Sequence, residues 1–244
     1  MIKNFIKITL RNIVKQKGYS FINITGLAVG MACCLLITLW VLDELSYDRF
    51  HENATTLYRV EENQHYSGRL FHVNVTPYPI APAMVEEFPE IRDASRYVWS
   101  GGRLFRYGEK SVFENAVMAV DPSFLDMFTF PLVKGNKESA LLSPDSILIS
   151  RDMAVKYFGS EDPMGKIINI DKKYDFKVTG VLENVPHNSY FQFQVLIPYE
   201  FLRKNGRTSD KWDSNSIRTF VQLQKDATME QVNGKIRDYI RRNS

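Results

Sequence analysis

The sequence predicts an α+β fold, with one N-terminal transmembrane helix followed by a mixed α/β domain. Three observations predict it. An uncharged run, GYSFINITGLAVGMACCLLITLWVL, fills Gly18–Leu42 between Lys17 and Asp43. Behind it, short stretches of strand character alternate with stretches of helical spacing, and no internal repeat or low-complexity tract interrupts them. The 244 residues, 44% of them hydrophobic, leave room for one anchor and a domain with an ordinary apolar core.

From Phe21 to Leu42 a helix rises about 33 Å at roughly 1.5 Å per residue, the depth of the bilayer hydrocarbon. A core helix of a soluble protein rarely needs so long an uncharged run. Asn23, Thr25 and Thr38 are tolerable there, because a few hydroxyls and one amide find partners. Gly26 and Gly30 form a G-x-x-x-G, which lets two helices approach closely but is common in membrane helices. The run exceeds a signal-peptide core and no A-x-A-like site follows it, so it reads as an uncleaved signal anchor. Cys33 and Cys34 are adjacent inside it and cannot staple the domain.

The net charge of +3 conceals an asymmetry. Lys3, Lys7, Arg11, Lys15 and Lys17 precede the apolar run, and the first acid is Asp43. Without those five, 26 of the 31 basic residues remain against 28 acidic ones, so the large C-terminal part is no nucleic-acid binder by charge. The positive-inside bias puts the N-terminus in the cytoplasm and residues from about 43 onward outside. Within residues 2–15, Ile2, Phe5, Ile6, Leu10 and Ile13 share one face of a helix and the cations line the other. Such a helix lies in the headgroup layer, although the lysines also serve simply to set topology.

After DELSYDRFHENATTLYRV, a first strand is expected over Thr56–Glu62 and a second over Arg69–Val75, with Ser67-Gly68 as the turn. Ile80, Met84, Val85 and Phe88 are spaced for a short helix ending at Pro89, and Ile91–Trp99 returns as a strand. Leu104–Tyr107 and Ser111–Val120 flank a hairpin turn at Gly108-Glu109. Asp121-Pro122 is expected to cap a brief helix holding Phe124, Leu125 and Phe128. Ile147–Ser150 feeds a helix over Arg151–Phe158. Lys166–Ile170, Tyr174–Val185 and Phe191–Ile197 read as strands, and Tyr199–Lys204 as a helical turn. Asn205–Ser216 is polar and loop-like, Arg218–Gln224 a strand, and Thr228–Arg241 a helix opened by a Thr228/Gln231 capping box.

No constellation carries chemistry. His51, His65, His72 and His187 have no partner at a metal-ligand spacing, and neither H-E-x-x-H nor C-x-x-C occurs. Ser146, Ser150 and Ser189 lack a nucleophile-elbow context. Glu86-Glu87 and Glu161-Asp162 read as solvated carboxylates. Gly159–Ile167 superficially looks like a phosphate loop, but five residues separate its glycines instead of four and Ile167 replaces the Ser or Thr that binds metal. It reads as a turn. Catalytic, cofactor-binding and metal residues are therefore expected to be none.

Several stretches resemble the MacB/FtsX-type ABC transporter permeases, their first membrane helix and their MacB-like periplasmic core domain. KITLRNIVKQKGYSFINITGLAVGMACCLLI is similar to the basic leader and first helix. DELSYDRFHENATTLYRV, VDPSFLDMFTFPLVKGN (Val120–Asn136), ISRDMAVKYFGSEDPMGKIINID (Ile149–Asp171) and FKVTGVLENVPHNSYFQFQVLIP (Phe176–Pro198) follow in the family's order and together span most of the chain. The resemblance implies a cytoplasmic leader (1–17), a transmembrane helix (18–42) and a two-lobed periplasmic core domain (43–244). Lobe one is expected over 50–100 and 217–244, and an inserted β-rich lobe over 101–216. In the Val120 motif, Phe124 and Phe128 are expected to pack, with Pro131 and Gly135 setting the turn afterwards.

The resemblance further implies a bacterial inner-membrane location and a non-enzymatic subunit that couples ATP hydrolysis in a separate cytoplasmic ABC ATPase to periplasmic motion, for efflux or export. Its implied partners are that ATPase, a second permease copy, the lipid bilayer and a periplasmic adaptor or outer-membrane component. The family's further three membrane helices do not follow, so the chain is expected to be a fragment of a longer permease or a truncated product. The alternative is a stand-alone membrane-anchored periplasmic protein-binding module.

Overall fold

A computed structural model describes residues 2–243. The chain divides into two compact units, one ending at Tyr47 and one beginning at Asp48. The first consists of α1 (Ile2–Lys15) and α2 (Lys17–Glu44), separated by Gln16 alone. α2 has 28 residues, runs past the apolar stretch at both ends, and is long and apolar enough to cross a membrane. No side chain along it is buried within the chain. Thr38 is satisfied by donating to the Cys34 carbonyl at 2.8 Å, as a hydroxyl in hydrocarbon must be. Tyr19 and Trp40, both exposed, stand about 32 Å apart along the axis at roughly 1.5 Å per residue. That is the spacing of the aromatic belts at the two faces of a bilayer.

The second unit opens with turns and then β1 (Leu57–Val60). A separate hairpin follows, β2 (Glu62–Tyr66) and β3 (Arg69–Val73), then β4 (Thr76–Pro77), α3 (Ile80–Glu87) and β5 (Ile91–Trp99). The hairpin turn is as expected, with Ser67 at φ 51° and Gly68 at φ 74°, the pair of positive angles that suits strand twist. The single strand expected over Thr56–Glu62 is divided at Glu61, because β1 pairs with the main sheet and β2 pairs with β3.

Next come β6 (Arg103–Tyr107), β7 (Lys110–Glu114), β8 (Val117–Val120), α4 (Phe124–Met127) and β9 (Leu132–Gly135). The strand expected over Ser111–Val120 is two strands. β7 completes a hairpin with β6, whereas β8 lies between β5 and a later strand. At the crossing, the Ala116 carbonyl accepts from the N–H groups of Gln194 and Val195, at 2.9 and 3.1 Å. The remaining elements are β10 (Ser146–Ser150), α5 (Arg151–Phe158), β11 (Ile167–Ile170), β12 (Tyr174–Leu182), β13 (Val195–Pro198), α6 (Tyr199–Lys204), β14 (Asn215–Leu223), α7 (Met229–Ile236) and α8 (Tyr239–Asn243). The capping box of Thr228 and Gln231 opens α7, but the helix expected to reach Arg241 breaks before α8.

Twelve strands form one sheet in the order β1-β14-β5-β8-β13-β10-β12-β11-β6-β7, with β4 on β14 and β9 on β12. Among the described residues, only β8–β13 and β10–β12 are parallel pairs. β10 is buried along its whole length because both sheet faces are covered there. Ile147 and Ile149 face a cluster with Met153 and Tyr157 of α5 and Tyr199 of α6, and Leu148 faces an opposite cluster with Phe124 of α4. Successive side chains of a strand point to opposite faces, so the alternation follows directly. A third cluster joins Met84 of α3, Val232 of α7 and Tyr239 of α8 to Ile91 of β5 and Val221 of β14.

Candidate functional site: the seam that fastens residues 48–56

Residues 48–56 follow the membrane-type helix after a short stretch, and Asp48, His51, Glu52 and Asn53 among them bond into the domain. Asp48 adopts φ 55°, a left-handed conformation that Asp tolerates better than most residues. Its carboxylate accepts from the Tyr190 N–H at 2.9 Å and the Ser189 hydroxyl at 3.2 Å. Its own N–H donates to the Asn188 carbonyl at 2.9 Å. Asn53 donates through Nδ2 to the carbonyls of Asp126 and Met127, at 3.2 and 3.0 Å. These lie at the C-terminal end of α4, where helical carbonyls lack partners of their own. The Glu52 N–H reaches the Thr129 hydroxyl at 2.9 Å.

His51 is the centre of the seam. Its ring is buried between Phe50, Phe128 and Phe130, at centroid distances of 4.1, 5.2 and 5.2 Å. The Thr129 N–H donates to Nδ1 at 3.0 Å, which assigns the neutral ring's proton to Nε2. That nitrogen finds no hydrogen-bond partner and stands 3.7 Å from the Asp48 carboxylate. Burial holds the imidazole below its ordinary 6.5, against the weaker upward pull of Asp48.

Beneath the seam, Phe124, Phe128 and Phe130 pack with Phe191, Phe193 and Phe220. Edge-to-face pairs such as Phe124–Phe191 at 5.1 Å and Phe130–Phe193 at 4.9 Å dominate. Phe124 and Phe128 thus pack as expected. The strand expected from Phe191 begins only at Val195, because Phe191 and Phe193 are drawn into this cluster. Gln192 Nε2 donates to the carbonyls of Pro186 and Ser189, both at 2.9 Å.

Two expectations for the Val120 motif are corrected. Asp121 does not cap α4 with its side chain, and Ser123 at the N-cap makes no capping bond either, its hydroxyl donating to the Ala94 carbonyl at 2.7 Å. The Asp121 carboxylate instead takes Arg96. The Arg96 Nε and backbone N–H both donate to Oδ2, and Nη2 donates to Oδ1, each at 2.8 Å. Arg96 Nη1 also donates to the Tyr78 carbonyl at 3.0 Å, and the guanidinium sits 3.9 Å over the Tyr199 ring. A two-pronged guanidinium partner outcompetes a local cap. Likewise, Leu132–Gly135 is no turn but the strand β9 on β12.

The phosphate-loop look-alike is a turn, with Gly159 at φ 62° and Gly165 at φ 76°. Lys166 pairs with Glu161 at 3.1 Å, and a strand follows where a phosphate loop needs a helix. Among the described residues, no three His, Cys, Asp or Glu side chains are grouped to hold a metal. The seam's own residues, Asp48, His51, Asn53 and Thr129, have no chemical motif that marks them in sequence. Several lie inside the stretches that carry the resemblance, which is the one signal pointing towards them.

A long apolar helix feeding an α/β domain, whose opening residues are fastened into its aromatic core, defines an α/β module that carries one membrane-type helix. The chain belongs to the MacB-like periplasmic core domain family, whose model matches residues 20–239. No curated protein matches it in sequence. Among solved structures it is similar to a domain of a putative permease protein from Porphyromonas gingivalis, with 23% identity and a TM-score of 0.69 over 80% of this chain and 84% of that one. It is also similar to the periplasmic region of MacB from Actinobacillus actinomycetemcomitans, with 16% identity and a TM-score of 0.58 over 77% and 84%. A third is the extracellular domain of the noncanonic ABC-type transporter YknZ from Gram-positive bacteria, with 15% identity and a TM-score of 0.54 over 77% and 94%. All three share the fold of residues behind the membrane-type helix.

Proposed function

We propose that this chain forms the N-terminal portion of an ABC transporter permease subunit. In this reading it couples ATP hydrolysis by a separate cytoplasmic ATPase to rearrangement of its external domain, for efflux or export. The N-terminus is cytoplasmic and the domain from Asp48 onward is periplasmic, across a bacterial inner membrane. The observation that carries the reading, beside the family, is the fastening of residues 48–56. A displacement of the membrane helix reaches Asp48 through the chain, and Asp48, His51 and Asn53 pass it to α4 and the 186–194 loop through hydrogen bonds instead of a slack linker. Packed side chains and hydrogen-bond networks of this kind carry energetic coupling between sites.

The full-length protein, extracted from bacterial membranes in mild detergent, is expected to carry a second chain that hydrolyses ATP with vanadate sensitivity. Recovery of intact protein with no such chain overturns the coupling role. It would leave a membrane-anchored module that binds a partner on the other side.

A further inference from the structure

We propose that α1 is a lipid-recognition surface, lying in the headgroup layer of the membrane that α2 crosses and binding acidic phospholipids through Lys3, Lys7, Arg11 and Lys15. The proposal rests on α2 as the membrane anchor and is independent of any ATPase.

α1 is helical from Ile2 to Lys15 without a buried residue. At about 100° per residue, Ile2, Phe5, Ile6, Leu10 and Ile13 occupy one arc of roughly 140°, and the four cations occupy an arc of about 120° beside it. Large side chains are exposed along the apolar arc, from Ile2 at 77% to Ile13 at 37%. Thr9, the hydroxyl within that arc, donates to the Phe5 carbonyl at 3.0 Å, so it brings no unpaired donor into lipid. No acidic residue precedes Asp43, so nothing on α1 or its flank offsets the cations.

Connectivity then selects the occupant. Gln16, at φ −112° and ψ 56°, is the only residue between the helices. α2 spans about 42 Å at roughly 1.5 Å per residue, more than the bilayer hydrocarbon of about 30 Å. With Tyr19 at the belt, Lys17 emerges among headgroups, and a single-residue link keeps the Lys15 end of α1 there. Aliphatic side chains flanked by cations match a surface that is anionic outside and apolar beneath. Each basic residue near such a surface strengthens attachment about fivefold.

The test uses the full chain with Cys33→Ala and Cys34→Ala, and with Phe5→Cys carrying an environment-sensitive dye. The protein is reconstituted into vesicles of phosphatidylcholine alone, or of phosphatidylcholine and phosphatidylglycerol at about three to one. In the mixed vesicles the dye is expected to shift to the blue and to lose about tenfold in quenching by acrylamide, a neutral quencher. The gain shrinks at about 0.5 M salt. Lys3→Glu with Lys7→Glu and Arg11→Glu abolishes it, while Lys3→Arg with Lys7→Arg and Lys15→Arg keeps it.

Equal quenching in both lipids overturns the proposal. So does shielding that appears only when a cytoplasmic ATPase is added, which would make this face a protein-docking surface. Resistance to alkaline extraction reports separately on α2, and extraction from both vesicle types removes the anchor and the proposal with it. Because no ATPase is needed for the expected result, a failure here leaves the coupling reading standing.

Discussion

His51 shows how one side chain makes the seam sensitive to its surroundings. Protonation requires a proton on Nδ1, where the Thr129 N–H already donates, so the charged ring loses that bond and faces a donor among phenylalanines. Burial holds the folded imidazole below its ordinary 6.5, whereas the unfolded chain takes up its proton near that value. Stability contributed by the neutral ring is fully present above 6.5 and is lost as the pH falls from there towards the lower folded value. The urea midpoint of the detergent-solubilised protein is expected to be lower at about pH 5.5 than at about pH 8. His51→Asn, whose Oδ1 can accept from Thr129, should flatten part of that slope. An unchanged slope in this variant would assign the titration to another group. In sequence, His51 is legible only as a histidine without ligand partners, because Thr129 is remote along the chain. Asp121 teaches the same lesson. Its local context favours a cap, and only the fold reveals that Arg96 is within reach.

At the scale of elements, legibility followed the strength of local determinants. α5 begins where Ser150 accepts the Met153 N–H, and α3, β5 and the start of α7 stand where periodicity and caps place them. β9 was invisible because its glycine looks like a turn former. Gly135 does have a positive φ, 102°, but its role is close approach. A Cβ there would lie 2.5 Å from the Thr179 carbonyl oxygen and 2.9 Å from the Gly180 Cα. Both obstacles are backbone, so neither can swing aside. Gly135→Ala is expected to cost about 2 kcal/mol or more, combining backbone strain with displacement of β9 from β12. Gly159→Ala serves as the comparison. Gly159 also has a positive φ, with ψ −114°, but open space around the Cβ position, so it should lose only the backbone strain, about 1–3 kcal/mol, and less than Gly135→Ala. Equal losses in chemical denaturation would show that the contact with β12 contributes nothing.

At the scale of the whole domain, the question is how a single sheet accommodates motion. Alternation along each strand is readable in sequence, but the order of strands is not, since β8 and β13 pair across a separation that no local pattern encodes. β5 meets β8 within the sheet, with Tyr97, Val98 and Trp99 opposite Val120, Ala119 and Met118. The cluster of α3, α7 and α8 lies on one side of it, whereas the clusters around α4, α5 and α6 reach across it to Tyr97, Ile217 and Phe220. We propose that the lobe of residues 50–100 and 217–244 and the inserted lobe 101–216 meet at this connection, and that Arg96 and Asp121 lock it. Both side chains are mostly shielded, at 18% and 16% exposure, so removing one partner leaves the other charge stranded. Asp121→Ala should therefore cost about 3–5 kcal/mol. Hydrogen exchange gives the sharper readout. In the wild type, the amides of β5 and β14 should open with the same free energy as those of β10 and β12, as one cooperative unit. In Asp121→Ala the two sets should separate, because the weakened connection no longer transmits the stability of one cluster to the other. Separate opening already in the wild type would mean that the lobes are independent and that the salt bridge does not couple them.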